Sequence, residues 1–184
     1  LEVSAIPSLN LERRLEYLIR YPHGCLEQTT SALFPQLFLP ALVRLDAARK
    51  SEIENNVNGG IARLRLFQQT HGGFSYWPGY DTAAAGFDPR AAWSSNYVGH
   101  FLLEAERLGY HVPTTMRSGW LNYQRNAVQE WTPTNSASHT LDQAYRLYTL
   151  SLASQPELGA MNRLRELPNL SITSRWLLAA AYLS

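Results

Sequence analysis

The stretch NYVGHFLLEAERLGYHVPTTMRSGWLNYQRNAVQEW, residues 96–131, decides the fold class. Tyr97, Phe101, Ala105 and Leu108 recur three or four residues apart, which puts them on one face of an α-helix. Gly109-Tyr110-His111-Val112-Pro113 stops that helix and starts another, with glycine where a helix end favours left-handed backbone. Met116, Trp120, Ala127 and Trp131 then carry the helical period onward. Helix, short turn, helix is a hairpin, and the same pattern continues on both sides. Upstream lie Leu33, Leu37, Ala41 and Leu45 with Phe34, Phe38 and Leu42 beside them, then Ile53, Val57, Ile61, Leu64 and Phe67. Downstream lie Leu141, Ala144, Tyr145, Tyr148 and Leu152, then Leu158, Met161, Leu164 and Leu167, then Ile172, Trp176, Ala180 and Leu183.

With a first helix over Leu11–Arg20, about eight helices fit the chain. Long alternating apolar runs are absent, so few or no strands are expected. Tyr21-Pro22-His23-Gly24, His71-Gly72-Gly73 and Thr132-Pro133-Thr134-Asn135-Ser136 punctuate the helices, and Phe74 to Arg90 is the one long loop. The expectation is an all-α fold of stacked antiparallel hairpins.

Composition narrows the function. A 184-residue chain that is 45% hydrophobic can bury a core and is not disordered. Sixteen basic residues against 15 acidic ones leave a formal charge of +1, which gives no polyanion-binding surface and excludes nucleic acid as the main partner. One cysteine excludes an intrachain disulfide and any multi-cysteine metal centre. No metal-ligand spacing occurs among the five histidines, so neither a metal nor a cofactor is expected. No apolar run approaches the roughly 18 residues of a membrane span, so no direct membrane contact is expected of this chain. The first residues do not read as a signal peptide and the last ones read as helix, so residues 1–184 are expected to be one helical domain within a larger multidomain protein.

The lone cysteine stands in Tyr21-Pro22-His23-Gly24-Cys25-Leu26-Glu27-Gln28-Thr29-Thr30-Ser31, at the expected start of a long helix. Gly24 admits backbone angles closed to other residues. Cys25 and Gln28 are one helical turn apart, and the first-turn amides favour a thiolate. Attack of the thiol on the Gln28 carboxamide is therefore geometrically possible and would give a thioester. On that spacing alone, a single cysteine at a helix start is more commonly just a small buried apolar residue.

The whole string separates the two readings. Gly24-Cys25-Leu26-Glu27-Gln28, preceded by Tyr-Pro-His and followed by an apolar helix, resembles the thioester motif of the alpha-2-macroglobulin and complement family. Animal members usually carry glycine in place of Leu26 and asparagine in place of Thr29, so the string resembles the bacterial branch. Further along, Gly73-Phe74-Ser75-Tyr76-Trp77, Ala92-Trp93-Ser94-Ser95-Asn96-Tyr97 and Gln143-Ala144-Tyr145 fall in the family's order and rough spacing, so the resemblance covers Leu11 to about Leu152.

The resemblance implies an α/α toroid, incomplete in this chain, and a covalent protease trap that is not an enzyme. A protease cuts a bait region elsewhere, the thioester is exposed, and a lysine amine of the protease attacks the Gln28 carbonyl and frees Cys25. It implies an extracytoplasmic, cell-envelope location, no cofactor beyond the internal thioester, and shielding from water by aromatic side chains and neighbouring domains of the same protein. Tyr21, His23, Tyr76 and Trp77 are the shielding candidates, with Gly24, Leu26 and Glu27 supporting the turn. Some members add an acyl-transfer histidine; His139, 114 residues after Cys25, is the candidate by separation, but its context Ser136-Ala137-Ser138-His139-Thr140-Leu141 departs from the family's and reads as a helix start. Two alternatives stay open. One is a toroid enzyme acting on carbohydrates or isoprenoids, with Asp81, Asp88, Glu130 and Asp142 available but forming no recognisable pair; the other is a cysteine hydrolase using Cys25 with His139.

Overall fold

The computed structural model describes residues 15, 17–79, 89–134 and 136–184, the side chains of Pro89, Arg90 and Ala91 aside. Among them lie α1 (Leu26–Leu33), α2 (Leu39–Leu42), α3 (Ala47–Leu64), α4 (Pro89–Arg107), α5 (Thr114–Glu130), α6 (Ala137–Leu152), α7 (Leu158–Arg165) and α8 (Ile172–Leu183), with 3-10 segments at Phe34–Leu37 and Arg65–Phe67. The fold is all-α: extended pairing among the described residues is confined to an isolated bridge between Gln68 and Phe74.

Consecutive long helices alternate between two layers. In the first layer α1 packs on α4, α4 on α6, and α6 most extensively on α8. The second layer holds α3, α5 and α7, each against first-layer neighbours: α3 on α1, α5 on α4 and α6, α7 on α6 and α8. From α4 onward, short connections make each helix run back along the one before. First-layer helices therefore begin at the end of the molecule where second-layer helices finish, and the Cys25 motif lies at that end.

Local chemistry sets the boundaries. Asp46 caps α3 by accepting from the Arg49 N–H at 2.7 Å, and Ser136 and Ser171 do the same for α6 and α8. Gly109, at φ +91°, ends the α4 region. Between the layers sits a continuous apolar core that includes Phe67, Phe74, Phe101, Met116, Trp120 and Leu147. Trp120 is 1% exposed and its indole N–H donates to the Ser95 carbonyl at 2.9 Å. Its ring occupies the space over Gly99, where a Cβ would lie 2.0 Å from Cε2.

Two expectations are corrected. The first helix does not reach Arg20: Leu15 is helical, Tyr17 and Leu18 form a turn, and Ile19 and Arg20 are irregular, while Leu11–Arg14 and Glu16 lie outside the described residues. The helix after the motif is not long: α1 has eight residues, and the apolar period from Leu33 to Leu45 runs on through a 3-10 turn and α2. Pro35 and Pro40 each enter at the start of a new segment, because proline can begin a helix but lacks the N–H to continue one.

Candidate functional site

Cys25 is the N-cap of α1, with extended backbone (φ −71°, ψ 175°), and Gly24 before it has φ +100°. That sharp bend folds the Gln28 side chain back over the cap, where its Oε1 accepts the Cys25 N–H at 3.2 Å. The Cys25 side chain takes the reciprocal place toward the Gln28 backbone N–H, the geometry of a capping box. Glycine is favoured at position 24 by the φ of +100°, and a Cβ there would lie 2.1 Å from Gln28 Oε1 and displace the carboxamide from this pose. Cys25 is a free cysteine, 3% exposed, whereas Gln28 is exposed. Thiol and carboxamide thus face each other across one helical turn, sulfur inward and acyl group outward.

The loop after α3 completes the site. Gln68 Nε2 ties it to the Met116 carbonyl at 2.9 Å, and the Phe74 N–H donates to Ser95 Oγ at 3.0 Å. So anchored, the loop brings the Tyr76 carbonyl to accept the otherwise unpaired Leu26 N–H at 3.1 Å. The Tyr76 hydroxyl donates to Glu27 Oε2 at 3.4 Å, and its pKa is pushed up to about 12, chiefly by a hydrogen bond to Cys25, then by charge on Cys25, by burial and by Glu27. Trp77 stands edge-on to Tyr76 at 6.0 Å and is 53% exposed. Leu26 is fully buried.

Tyr21 and His23 flank the turn on the α3 side: their rings pair at 4.8 Å, and Tyr21, 47% exposed, lies against Gly59. Gln36 holds this lead-in, donating to the Arg20 carbonyl at 2.8 Å and accepting from Asn56 at 3.0 Å. Arg63, in the last turn of α3, donates from Nη2 to the Gly24 carbonyl at 3.0 Å. No pattern in the sequence points to Arg63, which meets the motif only because a position 39 residues further along folds back.

His139 stands apart from this group. Its ring stacks on Trp131 at 5.6 Å and its Nδ1 pairs with Thr134 Oγ1 at 3.2 Å, at the start of α6. There it borders a cavity of about 810 Å³ with His71, Tyr123, Glu130, Asp142 and Arg146. Two carboxylates that showed no pairing in the sequence therefore share one cavity. Burial raises the Asp142 pKa, and Arg146 and His139 oppose that shift. Asp81 and Asp88 lie outside the described residues. Among the described residues no cluster of three metal-ligating side chains occurs, and no helix is long and apolar enough to cross a membrane.

Fold and site together define a layered all-helical domain with a Cys–Gln turn at one end. No family model matches the chain. The alpha-2-macroglobulin of Escherichia coli strain K12 is 36% identical over 116 residues, 61% of this chain and 7% of that protein. The structure of Salmonella alpha-2-macroglobulin reacted with methylamine superposes with a TM-score of 0.74 at 29% identity, covering 96% of this chain and 12% of that one. Trypsin-activated alpha-2-macroglobulin from Escherichia coli gives 0.66 at 26% identity, covering 89% of this chain and 13% of that one. The chain is homologous to the bacterial alpha-2-macroglobulins. It spans a small part, 7%, of the length of the curated relative.

Proposed function

We propose that this chain is the thioester-bearing part of an alpha-2-macroglobulin-like protease inhibitor of the cell envelope. The observation that carries the reading is the reciprocal Cys25–Gln28 turn, in which a side chain at Gly24 would displace the Gln28 carboxamide. The Cys25 thiol adds to Gln28 Cδ; a C–S bond forms, the C–N bond breaks, and ammonia leaves with the thiol proton. The stored acyl group then meets a lysine amine of a protease that has cut the protein elsewhere. A C–N bond forms, the C–S bond breaks, and the amine's proton passes to sulfur. The protease stays attached through an amide to Gln28. This is covalent catalysis without turnover. Water must be kept out until activation, a task assigned to Tyr76, Trp77, Tyr21 and His23 together with neighbouring domains. The relative reacted with methylamine and the relative activated by trypsin are consistent with an amine nucleophile and a protease target.

Intact mass tests the reading. The native protein is expected about 17 Da below its sequence mass, and methylamine is expected to bring it about 14 Da above that mass while releasing one thiol. An unaltered mass together with a freely alkylated Cys25 overturns it. The cysteine-hydrolase alternative needs a base within reach of the thiol, and His139 is instead engaged with Trp131 and Thr134.

A further inference from the structure

The peptide joining Gly24 and Cys25 is gripped at both ends. Its N–H donates to Gln28 Oε1 at 3.2 Å, and its carbonyl accepts from Arg63 Nη2 at 3.0 Å. Oε1 is the oxygen that takes up negative charge when a nucleophile adds to Gln28 Cδ. This holds for the thiol that closes the thioester and for the amine that opens it. A donor already aimed at that atom stabilises both tetrahedral intermediates. The Arg63 guanidinium is itself fixed, with its central carbon 5.6 Å above the ring of Phe67, which is fully buried.

We infer that Arg63 is a positioning residue for acyl transfer, acting on the Gln28 carbonyl through the Gly24–Cys25 peptide. The inference rests on the thioester reading. A cation on the carbonyl of an amide draws electron density from its nitrogen and makes the N–H a stronger donor, the cooperative effect of hydrogen bonds in series. The same bond fixes the peptide plane, which the glycine at φ +100° would otherwise leave free to rock. A charge 39 residues away in sequence thus reaches the reacting oxygen across a single amide. Lysine can supply charge and one donor, glutamine a donor without charge, and methionine neither.

The test uses the native protein with Arg63→Lys, Arg63→Gln and Arg63→Met. Thioester content comes from intact mass, and the opening rate from thiol release against methylamine concentration, expressed per thioester present. Opening is expected to slow on the order of tenfold in Arg63→Met and Arg63→Gln, less than the hundredfold or more for loss of a direct oxyanion donor, with Arg63→Lys close to the parent. A purely structural role would lower thioester content or melting temperature and leave the rate per thioester unchanged; that result overturns the inference and spares the thioester reading. If Arg63→Met does not fold, the Lys and Gln variants decide: equal rates overturn the inference, and a slow Gln variant beside a near-parental Lys variant supports it. A parent without a methylamine-labile bond overturns the thioester reading itself, and the inference with it.

Discussion

Replacing Gly24 with alanine separates the chemistry of the turn from the stability of the fold. At φ +100° an L-residue is strained by roughly 1–3 kcal/mol. The new Cβ would also lie 2.1 Å from Gln28 Oε1 and 3.0 Å from Cδ. Those atoms end a flexible, exposed side chain, so the clash is relieved by swinging the carboxamide away at little cost to folding. The relieved geometry is the unreactive one, because Oε1 then loses the Cys25 N–H. The expected outcome is a stability loss of about 1–2 kcal/mol, or a fall in melting temperature of roughly 2–8 °C for a domain of this size. Population of the reactive turn should fall much further. The backbone term alone gives about 5- to 150-fold, and the displaced carbonyl adds to it. Denaturant or thermal unfolding reads the first number. Intact mass and methylamine-released thiol read the second, with thioester content expected below roughly a tenth of the parent's. A Gly24→Ala protein that keeps the full mass deficit would show that the bend does not create the reactive geometry, and would refute this account of the site.

Gly99→Ala should do the reverse: its Cβ would meet the Trp120 ring at 2.0–2.3 Å, a rigid obstacle, so overpacking of about 1–3 kcal/mol is expected with thioester content per folded molecule unchanged. In ultraviolet titration compared against Tyr76→Phe, the Tyr76 phenol should ionise near pH 12 while Cys25 is a free thiol. It should return toward the ordinary tyrosine range once that sulfur is acylated or alkylated, since Cys25 is the largest cause of its shift; no movement on blocking the sulfur contradicts the contact. His100 gives the pH dependence. Burial lowers its folded pKa below 6.5, with Glu104 partly opposing. The unfolded chain therefore binds the proton first as pH falls, and the stability present above about pH 6.5 is lost on going down through the folded pKa. Denaturant midpoints between pH 7 and 5 should fall for the parent and flatten in His100→Gln; parallel curves would show that His100 does not carry the acid limb.

The hairpins from α4 onward were legible because their signals are local. Helical period and the Gly109–Pro113 break lie within one short stretch, and neighbours in sequence are neighbours in the layers. The α1 region misled for the same reason: the apolar period persists through Pro35 and Pro40 although the hydrogen bonding changes from α to 3-10. The string Gly24-Cys25-Leu26-Glu27-Gln28 was legible because a four-bond turn needs only its own residues. The contacts around it were not: Tyr76 is a candidate only through the family resemblance, and Arg63 is none at all. Tyr76 reaches Glu27 across 49 positions and Arg63 reaches Gly24 across 39, and each contact depends on where the loop after α3 is pinned by Gln68 and Phe74. Glu130 and Asp142 share a cavity only because α5 and α6 end and begin together there.

On the thioester reading, the opposed burial of the two partners would make a stored acyl group usable. With Cys25 3% exposed and Gln28 at the surface, an amine would approach the acyl carbon from the Gln28 side while the leaving thiolate stayed on the buried side. A thiolate released there would need stabilisation, and the Tyr76 hydroxyl, whose pKa is raised chiefly by a hydrogen bond to Cys25, is placed to supply it. The phenol, its pKa pushed up to about 12, has a single O–H that is directed to Glu27 Oε2, so stabilising the sulfur would require that proton to turn from Glu27 to Cys25. The same exposure that admits an amine admits water, and the flanking rings of Tyr21 and Trp77 are themselves 47% and 53% exposed. On the thioester reading, protection of the acyl group would therefore depend on what is packed over those rings. Thioester lifetime should lengthen with their burial, so proteolytic separation of neighbouring domains in the native protein should shorten it before any change in the helical core. Hydrogen exchange of α1 alongside the mass deficit distinguishes the two: a deficit lost only when α1 itself opens would place the protection in the fold and not in the cover.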